Sequence, residues 1–359
     1  MTPKLTPLPP WTARPAGLSI TIKAESSNTI GRSRGRASLG SRVEVLIGDG
    51  AWPLEREQGG WFAGRVEGAA PGTLYRFRLD GETAVPDPAS RFQPEGPHGP
   101  SEVVDPHAYR WEDVTWRGSV AARPVLYEMH IGTYTAEGTW AAAARHLPAL
   151  AELGVTVLEV MPVAEFPGRF GWGYDGVSLF APFHRYGRPD DMRRFVDAAH
   201  RAGLGVVLDV VYNHLGPDGN YLPLAWEEFF SRAHQTDWGA GINFDGEGSA
   251  AVRSFFRANV RHWMEEYHLD GLRFDATQDI HDASEPHILR ELGEEARGRA
   301  GGRRCLLIAE NEPQDTRLVR RTEEGGLGLD ALWNDDFHHS AVVALTGRRE
   351  AYFTDYEGS

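Results

Sequence analysis

The sequence predicts an α/β fold in which an incomplete (β/α)8 (TIM) barrel of about six strands follows an N-terminal β-sandwich. Three observations favour it. Short alternating apolar segments separated by turn residues fill the first third of the chain. From Val125 onward, strand patterns alternate with helical patterns, which indicates a parallel sheet with helical crossovers. Several of these later strands end in carboxylates, an arginine or a histidine, as barrel strands do where they open into an active site.

Residues 1–115 are predicted to form the β-sandwich. Val43–Ile47 and Leu74–Leu79 alternate as half-buried strands, with Gly, Pro and Asp turn signals between such segments. The Ser- and Arg-rich stretch 27–40 has weak periodicity, which favours a solvated loop over a binding arm. Residues 86–106 are rich in proline and glycine, so we expect a domain junction there. The barrel would then occupy residues 116–359.

Six strands and two helices are predicted in the barrel region. The helices cover 140–153 and 189–202, and the second begins with a proline and two aspartates, as helix starts do. A complete barrel needs eight strand and helix units in about 250 residues. Only twenty residues follow the run WNDDFHH, so we expect the barrel to be incomplete at its C-terminal end. The predicted strands are 125–131, 155–163, 205–211, 271–277, 305–311 and 331–337.

Composition narrows the function. The 359 residues carry a formal charge of −14, which disfavours a nucleic acid partner because such binding depends on Lys and Arg contacts to phosphate. No run approaches the roughly 20 apolar residues of a spanning helix, and the N-terminus lacks a signal-peptide core, so we expect a cytoplasmic protein without a membrane partner. Eleven Trp and eleven Tyr suit a saccharide ligand, although most would fill the core. The single Cys305 favours a small buried hydrophobe over a nucleophile.

Three runs carry the candidate chemistry: DVVYNH (209–214), GLRFDAT (271–277) and IAEN (308–311). Each is an apolar stretch that ends in polar side chains, so we expect these side chains to converge at one end of the sheet. A carboxylate held by an arginine, facing a second carboxylate on the next strand, is the pair that retaining glycoside hydrolysis requires. The convergent residues would be Asp209, His214, Arg273, Asp275 and Glu310.

Seven motifs in the barrel region extend the three runs above: EMHIGTYTAEGTW (128–140), LEVMPVAEFPGRFGWGYDGV (158–177), LDVVYNHLGPDGNYL (208–222), INFDG (242–246), GLRFDATQDIHDASEPHIL (271–289), IAENE (308–312) and WNDDFHH (333–339). Through these motifs, from about Val125 to its end, the chain resembles the α-amylase superfamily, and within it the maltooligosyltrehalose trehalohydrolases, which release trehalose from the end of a maltooligosyl chain. The N-terminal region resembles the starch-binding-type β-sandwich that precedes such barrels. The early Trp-Ala-Pro strand usual in that module is replaced here by the Ser- and Arg-rich stretch.

The resemblance implies roles for individual residues. Asp275 would be the nucleophile, kept ionised by Arg273, and Glu310 the general acid that later acts as base. The implied substrate is maltooligosyltrehalose or a related α-glucan, and no cofactor or metal is expected. Asp209 is interpreted as a partner of Arg273 rather than a catalyst. The implied substrate-binding residues are Trp172, Tyr174, Asp209, Asn213, His214, Asp336 and His338.

Several alternatives stay open. His214 could be a loop histidine instead of a donor to a sugar hydroxyl. If WNDDFHH lies on a strand, Asp335 and Asp336 cannot share a face, nor can His338 and His339, so one of each pair would be structural. The third acidic residue of the superfamily is expected beyond this run. The functional hypotheses are therefore a hydrolase, an α-glucan transglycosidase such as a branching enzyme, and an inactive glucan-binding fragment.

Overall fold

A computed structural model describes residues 18–23, 42–56, 61–66, 69–118 and 123–356. The Ser- and Arg-rich stretch 27–40 lies outside the described residues. The described part contains a pair of antiparallel sheets near the N-terminus and one parallel sheet with helices. No helix among the described residues is long and apolar enough to cross a membrane.

The N-terminal sheets form a sandwich around a small core. One sheet has the order β1-β5-β4, and the other has the order β3-β2-β6-β7, with β8 pairing to β6. Inward residues of both sheets, such as Val45, Phe62 and Phe77, are almost fully buried together. Both predicted strands, β2 and β6, have the bounds expected from the sequence. The strands are β1 (Leu18–Lys23), β2 (Val43–Ile47), β3 (Gly50–Pro53), β4 (Glu55–Arg56), β5 (Trp61–Val66), β6 (Leu74–Leu79), β7 (Thr83–Val85) and β8 (Ser101–Glu102).

Six strands form the parallel sheet, in the order β18-β17-β16-β13-β10-β9. Each strand pairs with the preceding barrel strand in the sequence, which is the order of a (β/α) barrel. Two short hairpins, β11-β12 and β14-β15, are inserted between them. The predicted fold class is confirmed. The strands are β9 (Leu126–Met129), β10 (Val157–Val160), β11 (Ala164–Glu165), β12 (Ser178–Pro182), β13 (Gly205–Val210), β14 (Phe230–Thr236), β15 (Gly239–Ile242), β16 (Gly271–Phe274), β17 (Leu306–Glu310) and β18 (Ala331–Trp333).

The inner face of the parallel sheet changes from apolar to polar along the strands. Val157, Val207 and Ile308 form an inner apolar cluster, with further apolar side chains from the two outer strands. Because side chains alternate, the residues two positions after these apolar residues also face inward. These inward residues are polar, and they lie at the C-terminal ends of the strands, where we expect the active site of a barrel. Arg273 also faces inward, because it pairs in register with Ile308 of the inner cluster. The inward polar set is Glu128, Glu159, Asp209, Arg273, Glu310 and Trp333.

The helices cover the outer face, and two sequence predictions need correction there. The predicted helix 140–153 is two helices, because Pro148 near the start of the second has no amide hydrogen to donate and would clash within a continuous helix. The predicted strand 331–337 ends at Trp333, because the Asn334 side chain accepts from the Phe337 amide and caps a helix. The helices are α1 (Ile131–Tyr134), α2 (Trp140–Ala144), α3 (Leu147–Leu153), α4 (Pro189–Arg201), α5 (Leu222–Ala225), α6 (Ser249–Glu266), α7 (Ile288–Arg299) and α8 (Asp335–Thr346).

The segment before the barrel is fastened to the N-terminal end of the sheet. Asp270, just before β16, accepts hydrogen bonds from the Trp116 indole at 2.7 Å and the Val206 amide at 2.8 Å, and contacts His200 Nε2 at 2.9 Å. The other ring nitrogen of His200 lies 2.9 Å from Asp113. Burial alone would lower the pKa of His200, but the two carboxylates raise it. This contact anchors the end of the barrel opposite the polar strand ends. The domain boundary near residue 115 stays a prediction.

We expect the 359-residue polypeptide to self-associate at high concentration. β9 and β18 are the outer strands of the sheet among the described residues, so each leaves one edge without a strand partner there. Unpaired strand edges template pairing with other chains. Light scattering over a concentration series should therefore show growth in mean mass, and a constant monomer mass would contradict this.

Candidate active site

The inward side chains at the strand ends meet around one arginine. Arg273, the third residue of β16, is 6% exposed, and its register partner on β13 is Asp209. Its Nη1 donates to both carboxylate oxygens of Asp209 at 2.9 Å and to Asp275 Oδ1 at 2.7 Å. Its Nη2 lies 3.0 Å from Glu310 Oε2. One guanidinium thus holds three carboxylates from three neighbouring strands. Burial alone would lower the pKa of Arg273, but these carboxylates raise it, so the group stays charged.

Asp275 follows the last residue of β16, and its side chain contacts Arg273. Its Oδ2 accepts a hydrogen bond from Asn213 Nδ2 at 2.8 Å, and the same nitrogen donates to the Asp275 carbonyl at 3.0 Å. Its backbone amide donates to the Val210 carbonyl at 3.2 Å. With one oxygen on Arg273 and the other on Asn213, the carboxylate has a fixed orientation.

Glu310 ends β17 beside Asp275 and is less buried, with its side chain 29% exposed. Its Oε2 accepts from the Ala276 amide at 3.0 Å as well as from Arg273. Ala276 reaches this position with a φ of +40°, a left-handed conformation that is costly for a residue with a Cβ. Two donors at Oε2 leave Oε1 as the atom that would carry a transferable proton. Burial raises the pKa of Glu310, Arg273 opposes this, and the nearby Asp275 raises it further.

Tyr174 and His214 contact the same cluster through Asp209 and Asn213. The Tyr174 hydroxyl donates to Asp209 Oδ2 at 2.9 Å, and burial raises its pKa so that it remains a donor. The His214 ring hydrogen-bonds the Asn213 side chain through Nδ1 and stacks on Trp238 with ring centroids 4.8 Å apart. Burial lowers the pKa of His214, which favours the neutral ring. Asn213 therefore links His214 to Asp275.

Three predicted substrate-binding residues do not join this cluster. Trp172 is 71% exposed on the loop between β11 and β12. Asp336 and His338 were predicted from a strand, but both lie on α8. There, Asp336 accepts from the Tyr356 hydroxyl at 2.9 Å, and the His338 ring packs beside His339. The alternation argument for WNDDFHH was therefore wrong, because the strand stops before the first aspartate.

Three residues near the cluster escaped the sequence reasoning. Trp238 lies at the tip of the β14-β15 hairpin, in a polar insertion where no pattern distinguishes it. Ala276 contributes only its backbone amide, which the identity of its side chain does not indicate. Glu159 did carry a signal, since it is a charged residue inside the apolar run VTVLEVMPV. Among the described residues, no group of three or more His, Cys, Asp or Glu side chains is arranged to hold a metal ion.

Comparisons with known proteins find similar sequences and a similar solved structure. A family model described as alpha amylase, catalytic domain, matches residues 110–240. A malto-oligosyltrehalose trehalohydrolase of Deinococcus radiodurans is 43% identical over 353 residues, which are 98% of this chain and 54% of the relative. A 1,4-alpha-glucan branching enzyme of Kitasatospora aureofaciens is less similar, with 33% identity over 77% of this chain and 40% of the relative.

A solved structure is similar along nearly the whole chain. The crystal structure of a candidate alpha amylase from Salmonella typhimurium matches 94% of this chain and 55% of its own, with a TM-score of 0.84 and 43% sequence identity. The chain thus spans about half the length of the curated trehalohydrolases and of the solved structure that it matches.

Proposed function

Because the chain belongs to the α-amylase family, we propose that it provides the catalytic groups of a retaining glycoside hydrolase that releases trehalose from maltooligosyltrehalose. The bond cleaved would be the α-1,4-glucosidic bond next to the terminal trehalose unit. One observation carries the proposal: Asp275 and Glu310, from adjacent strands, share the Arg273 guanidinium. Retaining glycosidases need two carboxyl groups only about 5–5.5 Å apart, and a shared guanidinium is compatible with such a spacing. A cytoplasmic location stays a prediction.

In the first step, an Asp275 carboxylate oxygen would attack the anomeric carbon. The glycosidic C–O bond breaks as Glu310 Oε1 gives its proton to the departing oxygen, which leaves a glycosyl ester on Asp275. The raised pKa of Glu310 suits this task, because the group must be protonated before the step. Arg273 and Asn213 keep Asp275 oriented for attack.

In the second step, the ionised Glu310 would take a proton from a water molecule. The water oxygen bonds to the anomeric carbon, and the ester bond to Asp275 breaks, so both carboxyl groups return to their first state. His214 and Tyr174, which contact the cluster through Asn213 and Asp209, would bind sugar hydroxyls. Exposed Trp172 would stack on a glucose unit farther from the cleaved bond.

We expect Glu310→Gln to affect substrates according to their leaving groups. A sugar leaving group needs a proton, so its turnover should fall by about 10²- to 10⁴-fold. The first step of an activated aryl glucoside should change little, because that leaving group departs without a proton. Burst and steady-state rates on both substrates measure the difference. Equal losses in the first step for both would rule out Glu310 as the acid.

Product analysis tests the substrate. Incubation of the chain with maltotriosyltrehalose should give trehalose and maltotriose, and chromatography identifies both. A branching enzyme is the second candidate, favoured by the weaker similarity noted above. It would instead form α-1,6 branches in amylose, because a sugar hydroxyl replaces water in the second step. Tight glucan binding without either product would support the third hypothesis, a non-catalytic binding protein.

A further inference from the structure

A fourth carboxyl, which is buried, lies in the barrel near the three that contact Arg273. Glu159, the third residue of β10, is 1% exposed. It belongs to the inward polar set, because it lies two residues after Val157 of the inner apolar cluster and pairs in register with Glu128 and Val207. A buried carboxyl is unfavourable unless neighbouring groups compensate it. The two steps proposed above give Glu159 no role.

A hydrogen bond from the opposite side of the barrel interior holds the Glu159 side chain in place. The Trp333 indole on β18 donates to Glu159 Oε1 at 3.2 Å. β10 and β18 are separated by three other strands in the sheet order, so this bond spans the curved sheet instead of joining neighbours. Trp333 is also the register partner of Glu310. The other oxygen, Oε2, is buried and has no hydrogen-bond partner among the described residues.

The charged groups that face Glu159 include the catalytic cluster itself. Arg273 on β16 favours its ionised form, whereas Glu310 on β17 and Glu128 on β9 oppose it. Asp209 on the adjacent strand β13 belongs to the same inward layer. Burial dominates and raises the pKa of Glu159 to about 7, with the Trp333 hydrogen bond acting in the other direction. Glu159 can therefore change its charge near neutral pH.

We propose that Glu159 is a positioning residue for Glu310: braced by Trp333, it presents a switchable negative charge to the Arg273 cluster and so controls the proton on Glu310. When Glu159 is ionised, a second negative charge on Glu310 is less favourable, and Glu310 keeps its proton to higher pH. When Glu159 is protonated, its charge no longer raises the pKa of Glu310. The interaction is reciprocal, since each carboxyl affects the other equally. Only the role of Glu310 as acid rests on the proposed function.

The test measures Glu310 directly by NMR, without turnover. The chain is labelled with ¹³C at the glutamate side-chain carboxyls, Glu310→Gln assigns the Glu310 signal, and pH is varied. Glu159→Gln removes the charge while keeping an oxygen that accepts from Trp333. We expect the Glu310 midpoint to fall by about half a pH unit or more, roughly a threefold change in its acid dissociation constant. A midpoint unchanged within about 0.1 unit would overturn the proposal.

Two further variants complete the design. Glu128→Gln is the matched control: this residue is also beside Glu159, but it is exposed, so solvent screening should make its effect on Glu310 smaller. Trp333→Phe removes the indole donor, so Glu159 should titrate at higher pH. An unchanged Glu159 midpoint in Trp333→Phe would contradict the proposed role of the Trp333 hydrogen bond. This measurement remains possible even if Glu159→Gln does not fold. The NMR midpoints do not depend on turnover. If the protein proved not to be a hydrolase, the coupling between Glu159 and Glu310 could still be measured, so the two proposals can fail separately.

Discussion

Asp275→Asn is expected to abolish turnover while leaving glucan binding almost intact. An amide cannot form the glycosyl ester, so the covalent step is lost. Removal of a catalytic nucleophile costs about 10⁶-fold in kcat in a well-studied hydrolase, and we expect at least several orders of magnitude here. Binding depends on many hydroxyl and stacking contacts that do not involve this oxygen. Stopped assays on maltotriosyltrehalose and calorimetry with the same ligand measure the two effects.

Asp218→Asn is the matched control for this change. Asp218 is 63% exposed, and its side chain contacts only His98 at 3.0 Å among the ion pairs described, so its neutralisation should alter neither turnover nor binding appreciably. Turnover of Asp275→Asn within about tenfold of the parent rate would mean that Asp275 is not the nucleophile.

Arg273→Met should cause the largest loss of stability of any single change at the site. The substitution leaves Asp209, Asp275 and Glu310 facing one another without their shared positive charge. Removing one partner of a buried ion pair costs about 3–5 kcal/mol of the free energy of unfolding. Loss of this charge would raise the pKa values of Asp209 and Glu310 further above those of the unfolded chain, so the variant should lose stability as pH rises. Denaturant unfolding at pH 5 and pH 7 should therefore show a smaller loss of the free energy of unfolding, relative to the parent, at pH 5.

Arg290→Met provides the comparison for Arg273→Met. Arg290 on α7 is 33% exposed and pairs with Glu294 on the same helix and with Glu285 just before it, so its loss should cost less than about 1 kcal/mol. A deficit for Arg273→Met no larger than that of Arg290→Met, or one that grows on acidification, would contradict the charge arrangement at the site.

Sequence periodicity was sufficient for much of the fold and for the centre of the site. Parallel strands show as apolar runs, and inward residues follow a period of two. Asp209 and Arg273 could therefore be assigned to one face, and the structure makes them register partners. Asp275 and Glu310 follow from the same rule, because each lies at or just beyond the end of a strand.

The remaining features depend on local or long-range contacts that periodicity does not encode. The apolar pattern around WNDDFHH suited a strand, but the Asn334 cap made residues 335–346 helical. The contribution of Ala276 comes from its backbone amide and its positive φ. The pairing of Glu159 with Trp333 joins residues 174 positions apart across the sheet. The curvature of the sheet brings these two side chains together.

Covalent trapping tests the central claim most directly. Glu310→Gln should react with α-maltotriosyl fluoride, because fluoride leaves without an acid, but should hydrolyse the product slowly without its base. Mass spectrometry of the digested protein should then find a maltotriosyl ester on Asp275, and the double variant Asp275→Asn with Glu310→Gln should carry none. An ester on Asp209 or another carboxylate, or no ester at all, would contradict the account.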